Sequence, residues 1–227
     1  MPTNSITAVG NIAHPTPFLH HHLSTPTLHA MENLTAFLLA AFALTGSPGP
    51  NTLSAAAVGA SFGRIRGLRY VAGLVVGVML VALIVGTGIS GAIFALPGVT
   101  PVITAMAIVY FLYLAWKIAT APAIGHLENN DANPPRLIDG IFVTLANPKA
   151  YAAMAALFSG YVLIAGNPLI DGLWKAALIL GVIIIVNFLW LMTGAELARH
   201  LRSPRAARAV NIAFALLLLA SVATLAM

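Results

Sequence analysis

Lys149 stands inside an apolar run, in the stretch LANPKAY (Leu145–Tyr151), and an earlier apolar run is broken by TGSPGPNTL (Thr45–Leu53). An ammonium group at the centre of a bilayer costs roughly 2.5–3.5 kcal/mol on insertion scales, so such a lysine should face a cavity or a partner, the alternative being to snorkel to an interface, which its depth makes awkward. A carboxylate is the expected partner, either a substrate's or that of Glu196. Asn51 and Asn147 lie beside the two breaks and offer donors as well as acceptors. Pro48, Pro50 and Pro148 each lack an amide N–H and clash with the carbonyl one turn earlier, which frees carbonyls near Leu44, Thr45, Gly46 and Thr144. Such backbone is tolerated at membrane depth only where it is buried in protein or lines a wet cavity. Half-helices starting after Pro50 and Pro148 aim N–H groups and positive dipole ends at the breaks, which suits a carboxylate.

The chain around these breaks reads as an all-α integral membrane protein. Of its 227 residues 59% are hydrophobic and 7% charged, with a mean hydropathy of +0.93, whereas a soluble domain carries about a quarter charged residues. Six apolar spans can be drawn, at about 33–62, 68–96, 100–119, 138–164, 173–196 and 208–226. Pro148 falls about ten residues into the fourth, roughly 15 Å at 1.5 Å per residue, near the middle of a ~30 Å hydrocarbon core. The basic residues cluster after spans 1, 3 and 5: Arg64, Arg66 and Arg69, then Lys117 and Arg136, then Arg199, Arg202, Arg205 and Arg208. These loops should face the cytoplasm, with both termini on the non-cytoplasmic side of the inner membrane. The opposite connections hold only Lys175. The net charge of +5 thus reflects membrane topology and a lipid bilayer as partner, with no nucleic acid implied.

Residues 1–30, rich in Thr, Pro and His, read as a disordered extension, and Met31 reads as the natural start. The rest divides into a first three-helix repeat (31–119), a cytoplasmic loop (120–137) and a second three-helix repeat (138–227). Three spans is an odd number, so the second half enters the membrane inverted, a recurrent transporter plan. Aligning Pro50 with Pro148 sets GPNTLSAAAVGAS on NPKAYAAMAALFS, with Ser61 opposite Ser159. Gly73, Gly77, Gly86 and Gly91 in the second span point to close helix packing rather than chemistry.

PGPN at Pro48–Asn51, the GRIRGLR that follows it, FLYLAWKI at Phe111–Ile118 and LANPKAY together resemble the lysine exporter / homoserine–threonine efflux (LysE/RhtB) family over about residues 31–226. The resemblance implies six helices in two inverted repeats and export of amino acids or related small zwitterions, driven by the proton gradient. It also implies functional roles for Pro48, Gly49, Pro50, Asn51, Asn147, Pro148 and Lys149. Many members carry Asp where this chain has Asn51, so binding of an amino group or a proton there must fall to another group. LFSGY, after the fourth-helix motif, also departs from the more aromatic family pattern.

The expectation is therefore a secondary-active exporter working by alternating access, not an enzyme, with a small amino-acid-like substrate and a proton or other coupling ion. Asn51 and the two half-helix ends hold the substrate carboxylate, Lys149 adds charge, and Tyr113 and Tyr151 shape the pocket. Asp139 and Glu196, at the cytoplasmic ends of spans 4 and 5, are the carboxylates available for proton coupling. No cysteine exists and no span contains His, so no metal or cofactor is expected. A passive channel, or an exporter of a different solute or a metal ion, is the alternative, and a homo-oligomer is compatible with either. Lys149→Ala should abolish export while leaving membrane insertion intact, measured as substrate efflux from cells in which the membrane-fraction level of the variant matches wild type.

Overall fold

The computed structural model describes residues 26–88, 99–120, 133–200 and 204–226, and these are helical with short connections. Seven helices run in chain order: α1 (Pro26–Gly46), α2 (Pro50–Gly86), α3 (Val99–Ala119), α4 (Leu137–Leu145), α5 (Pro148–Gly160), α6 (Pro168–His200) and α7 (Pro204–Ala226). Five of the seven open on proline at the first helical position, where the missing N–H costs nothing and φ is already set. Among the described residues three helices, Pro50–Gly86, Pro168–His200 and Arg205–Ala223, are long and apolar enough to cross a membrane. The pair α4 and α5, bent by 68°, makes a fourth candidate.

Both expected breaks are present. α1 ends at Gly46 and α2 begins at Pro50, while α4 ends at Leu145 and α5 begins at Pro148. The expected boundaries shift elsewhere for identifiable reasons. No loop separates the first two spans: α2 is interrupted only at Gly63, whose φ of 76° and ψ of 169° are open to glycine alone, and Arg64, Arg66 and Arg69 are already helical again. Lys175 is not a loop residue. α6 starts earlier than expected because Asn167 caps it, its Oδ1 accepting from Ile170 N (3.1 Å), which places Lys175 on the helix. There it is 2% exposed, 2.6 Å from Asp171, and donates to the carbonyls of Phe158 and Tyr161 at the end of α5. Asp171 in turn accepts from Leu163 N and Ile164 N (2.6 and 2.9 Å), so one buried ion pair ties α5, its exit loop and α6 together. α1 takes in residues 26–30 of the stretch expected to be disordered; residues 1–25, Gly91, Arg202 and most of the loop at 120–137 lie outside the described residues.

α2 is the hub. Its first part lies backbone to backbone against α6, where a Cβ on Gly59 would sit 2.1 Å from Leu191 O and one on Gly194 would sit 1.9 Å from Ala56 O. Its second part lies equally close to α4: a Cβ on Gly73 would meet Leu137 O at 1.9 Å, and one on Gly140 would meet Tyr70 O at 2.3 Å. In lipid, where apolar burial gives no drive for association, such small-residue contacts let dispersion and helix dipoles act at short range. Gly77 and Gly86 follow the same rule against Thr144 and Phe158. Two apolar clusters fill the remaining space. Tyr70, Leu74, Phe111, Leu114, Leu191 and Leu218 join α2, α3, α6 and α7, and Phe37, Val81, Met154 and Ile183 join α1, α2, α5 and α6. Ser61 donates to Asn211 Oδ1 (3.1 Å), a buried polar stitch between α2 and α7.

Gly194→Ala should lower the thermal unfolding midpoint in detergent, since overpacking costs about 1–3 kcal/mol. Gly181→Ala on the same helix, where nothing lies within 4 Å of the added carbon, should leave the midpoint unchanged or raise it.

Candidate functional site

The site grows out of the backbone that the prolines leave unpaired. At the end of α1, Thr45 Oγ1 donates to Ala41 O (2.7 Å) and Ser47 Oγ to Leu44 O (3.2 Å). The indole Nε1 of Trp190, on α6, donates to Gly46 O at 3.1 Å. The next two carbonyls are taken by Lys149: its Nζ donates to Ser47 O (2.8 Å), Ser47 Oγ (2.8 Å) and Pro48 O (3.1 Å). An ammonium has three donors, and all three are used here at the negative end of a helix dipole. Gly49 makes room for this reach, because a Cβ there would lie 3.0 Å from both Cδ and Nζ of Lys149. The chain re-enters helix with Gly49 N donating to Thr52 Oγ1 (2.9 Å).

The second break is capped from within and tied to the first. Asn147 N donates to Thr144 O (3.0 Å), the carbonyl that Pro148 would otherwise leave unpaired. Asn147 Oδ1 accepts from Lys149 N (3.1 Å), so its Nδ2 must face the other way, toward Asn51 Oδ1 at 2.9 Å. That in turn directs Asn51 Nδ2 at Thr144 Oγ1 (3.1 Å). The amide orientations are thus fixed from the one group that can only donate, the Lys149 N–H. Thr144 Oγ1 also lies against Gly140 O (3.1 Å) and Leu74 O (3.3 Å), in the space left by Gly77.

A cavity of about 40 Å³ lies where the breaks meet, room for roughly three or four waters at about 10–15 Å³ each. Lys149, Asn51, Asn147, Gly49 and Asn187 line it, with Met154 and Ile183 among its apolar walls. Of the expected residues, Gly49, Asn51, Asn147 and Lys149 are therefore gathered at one place, flanked by Pro48, Pro50 and Pro148. The expected carboxylate partner of Lys149 is not Glu196, which is exposed on α6 and lies 3.6 Å from both Arg199 and His200. Asp139 Oδ2 accepts from Arg136 N (2.6 Å) at the start of α4, away from the cavity. Tyr113 is 45% exposed on α3, its ring 6.0 Å from that of Tyr110, and Tyr151 packs beside the α1/α2/α5/α6 cluster rather than lining the cavity. Ser47, Thr144 and Trp190 join the site without having been singled out for it, and Asn187, marked in the sequence as a further amide within an apolar span and open to a purely interhelical role, lines the cavity. Thr144 and Ser47 could have been found from their places at the freed carbonyls, whereas nothing local marks Trp190.

Residues 42–227 match the LysE type translocator family. The chain belongs to it. Among the relatives of this LysE type translocator is a cysteine/O-acetylserine efflux protein of Salmonella choleraesuis, 30% identical over 193 residues, which cover 82% of this chain and 95% of the relative. A homoserine/homoserine lactone efflux protein of Salmonella typhimurium is 28% identical over 188 residues, covering 79% and 88%. An uncharacterized membrane protein of Vibrio cholerae is 26% identical over 188 residues, covering 79% and 89%. No solved structure matches significantly. The translocator is a multi-pass membrane protein, and its apolar helices fit that family's setting.

The two bonds of Asn147 can be separated by mutation. Asn147→Asp keeps an acceptor for Lys149 N–H but loses the donor to Asn51, while Asn147→Ala loses both. The alanine variant should be the less stable by about 1 kcal/mol, the usual worth of a helix N-cap, read as the lower unfolding midpoint of the two in the same detergent.

Proposed function

We propose that this LysE type translocator is a secondary-active exporter of small amino acids or related zwitterionic metabolites in the inner membrane. It works by alternating access between two inverted three-helix repeats. The observation that carries this reading is the meeting of the two breaks across one polar cavity. Asn51 and Lys149 occupy equivalent places after Pro50 and Pro148, and each reaches the end of the other broken segment, Thr144 and Ser47 respectively. Helix packing supports the same exchange. Residues on both sides of the first break lean on α6, through Gly46 against Val186 and Gly59 against Leu191. Both sides of the second lean on the latter part of α2, through Gly140 against Tyr70 and Phe158 against Gly86. A two-fold relation between halves generates that reciprocity.

Of the two half-helix starts, α5 is capped by the Asn147 side chain while α2 begins after Gly49, which has no side chain to cap it. The substrate carboxylate accordingly docks at the start of α2 beside Asn51, with Lys149 exchanging a Ser47 contact for it. The cavity is smaller than an amino acid, so loading requires the segments around the breaks to part, as alternating access demands. Glu196 lines an open hollow of about 590 Å³ with Arg64 and His200. It is the carboxylate we assign to proton exchange, with Asp139 the second candidate. The efflux relatives, named for homoserine and for cysteine/O-acetylserine, support a small amino-acid cargo, and the arginine clusters favour both termini outside.

Cells expressing the protein should gain resistance to toxic analogues of one amino-acid class. Efflux of that class should saturate with concentration and collapse when the proton gradient is dissipated; unsaturable flux indifferent to the gradient would make the protein a channel instead.

A further inference from the structure

Asn187 is 3% exposed in the middle of α6 and lines the cavity. Its Nδ2 donates to Ile183 O (3.0 Å), a carbonyl that can only accept, which fixes the orientation of the amide. Its Oδ1 is then buried with no hydrogen-bond partner. An orphaned acceptor in a low-dielectric setting is unfavourable unless something with a proton to give comes to it. Every other amide acceptor on the cavity wall is engaged: Asn51 Oδ1 by Asn147, and Asn147 Oδ1 by Lys149 N.

The charge on the wall is equally one-sided. Among the described residues Lys149 is the only ionisable side chain lining the cavity, and no carboxylate of theirs lines it. The described carboxylates near the membrane-spanning helices are committed elsewhere: Asp139 to Arg136 N, Asp171 to Lys175, and Glu196 to the exposed end of α6. A guest bringing one carboxylate and one ammonium leaves the site with the charge it already had. A guest bringing a further side-chain cation adds a like charge near Lys149 with no anion to offset it, in a medium where such repulsion is weakly screened.

We infer that Asn187 Oδ1 is the acceptor for the α-ammonium group of the transported amino acid, and that the cavity selects net-neutral amino acids over those with cationic side chains. This rests on the exporter reading above and adds to it a recognition residue and a charge rule. The apolar walls formed by Val78, Met154 and Ile183 complement the rule by offering a side chain dispersion contacts rather than charge partners.

The experiment is counterflow of labelled homoserine and labelled lysine by the full-length protein purified into liposomes, for wild type, Asn187→Leu and Asn187→Asp. Wild type should move homoserine and exclude lysine at least about tenfold. Asn187→Leu, which keeps the volume, should raise the homoserine KM about tenfold to a hundredfold, the span for losing a hydrogen bond to a charged group. Asn187→Asp supplies the missing anion and should admit lysine, a gain that misfolding cannot imitate. Wild-type lysine flux equal to homoserine flux overturns the charge rule while leaving the exporter reading intact. An unchanged KM in Asn187→Leu, or a lysine-excluding Asn187→Asp that still moves homoserine, overturns the role of Asn187. Failure of every amino acid tried with wild type would instead strike the exporter reading itself.

Discussion

A carbonyl freed inside a membrane has no water to turn to, and the whole arrangement follows from how this chain meets that demand. Each unsatisfied group would cost several kcal/mol in hydrocarbon, and two helix breaks free several at once. The chain answers by making each break the partner of the other. Lys149, from the second, covers Ser47 O and Pro48 O of the first, and Asn51, from the first, reaches Thr144 at the second. The link between Asn147 and Asn51 closes the circuit. The first break relies on the second for two of its carbonyls, whereas Thr144 O at the second is met locally by Asn147 N.

The bonds that join the two breaks differ in kind from the contacts that hold the surrounding helices. Interhelical hydrogen bonds in membranes average about 0.6 kcal/mol, because the alternative state finds partners too. They can therefore be exchanged for bonds to a guest carrying its own donors and acceptors. The glycine contacts around them behave differently. Backbone set against backbone at Gly59, Gly73, Gly140 and Gly194 cannot slide without colliding, so α2, α4 and α6 form a firm frame. The buried pair Asp171–Lys175 adds a fixed point where α5 leaves for α6. The breaks are thus joined by single hydrogen bonds, while the helices around them meet backbone to backbone.

Much of this was legible in the residue order. Prolines flanked by glycine or asparagine inside apolar runs point to interrupted helices, and the two interruptions appear where those stretches lie, at residues 47–49 and at 146–147. The glycine spacing in the second span announced close packing, and Gly73, Gly77 and Gly86 fulfil it. Less legible was the join between the first two spans. Three arginines looked like a loop, but an arginine can end a span while remaining helical, and the turn needed only Gly63. Lys175 misled for a related reason: a lone cation near a span end looks solvated unless its carboxylate, one turn earlier, is seen to be buried with it.

Composition, proline placement and the motif stretches determined by themselves that this is a helical membrane protein of the LysE type translocator family with two interrupted helices, because those are local properties of backbone and solvent. Only the tertiary structure decided what the breaks touch. Lys149 turned from a search for a carboxylate to the carbonyls of Ser47 and Pro48, Trp190 was recruited from α6, Tyr113 was left outside, and Asn187 was brought to the cavity with an acceptor to spare. Contacts between residues a hundred positions apart depend on how helices cross, and crossing is set by which small residues on distant segments happen to meet.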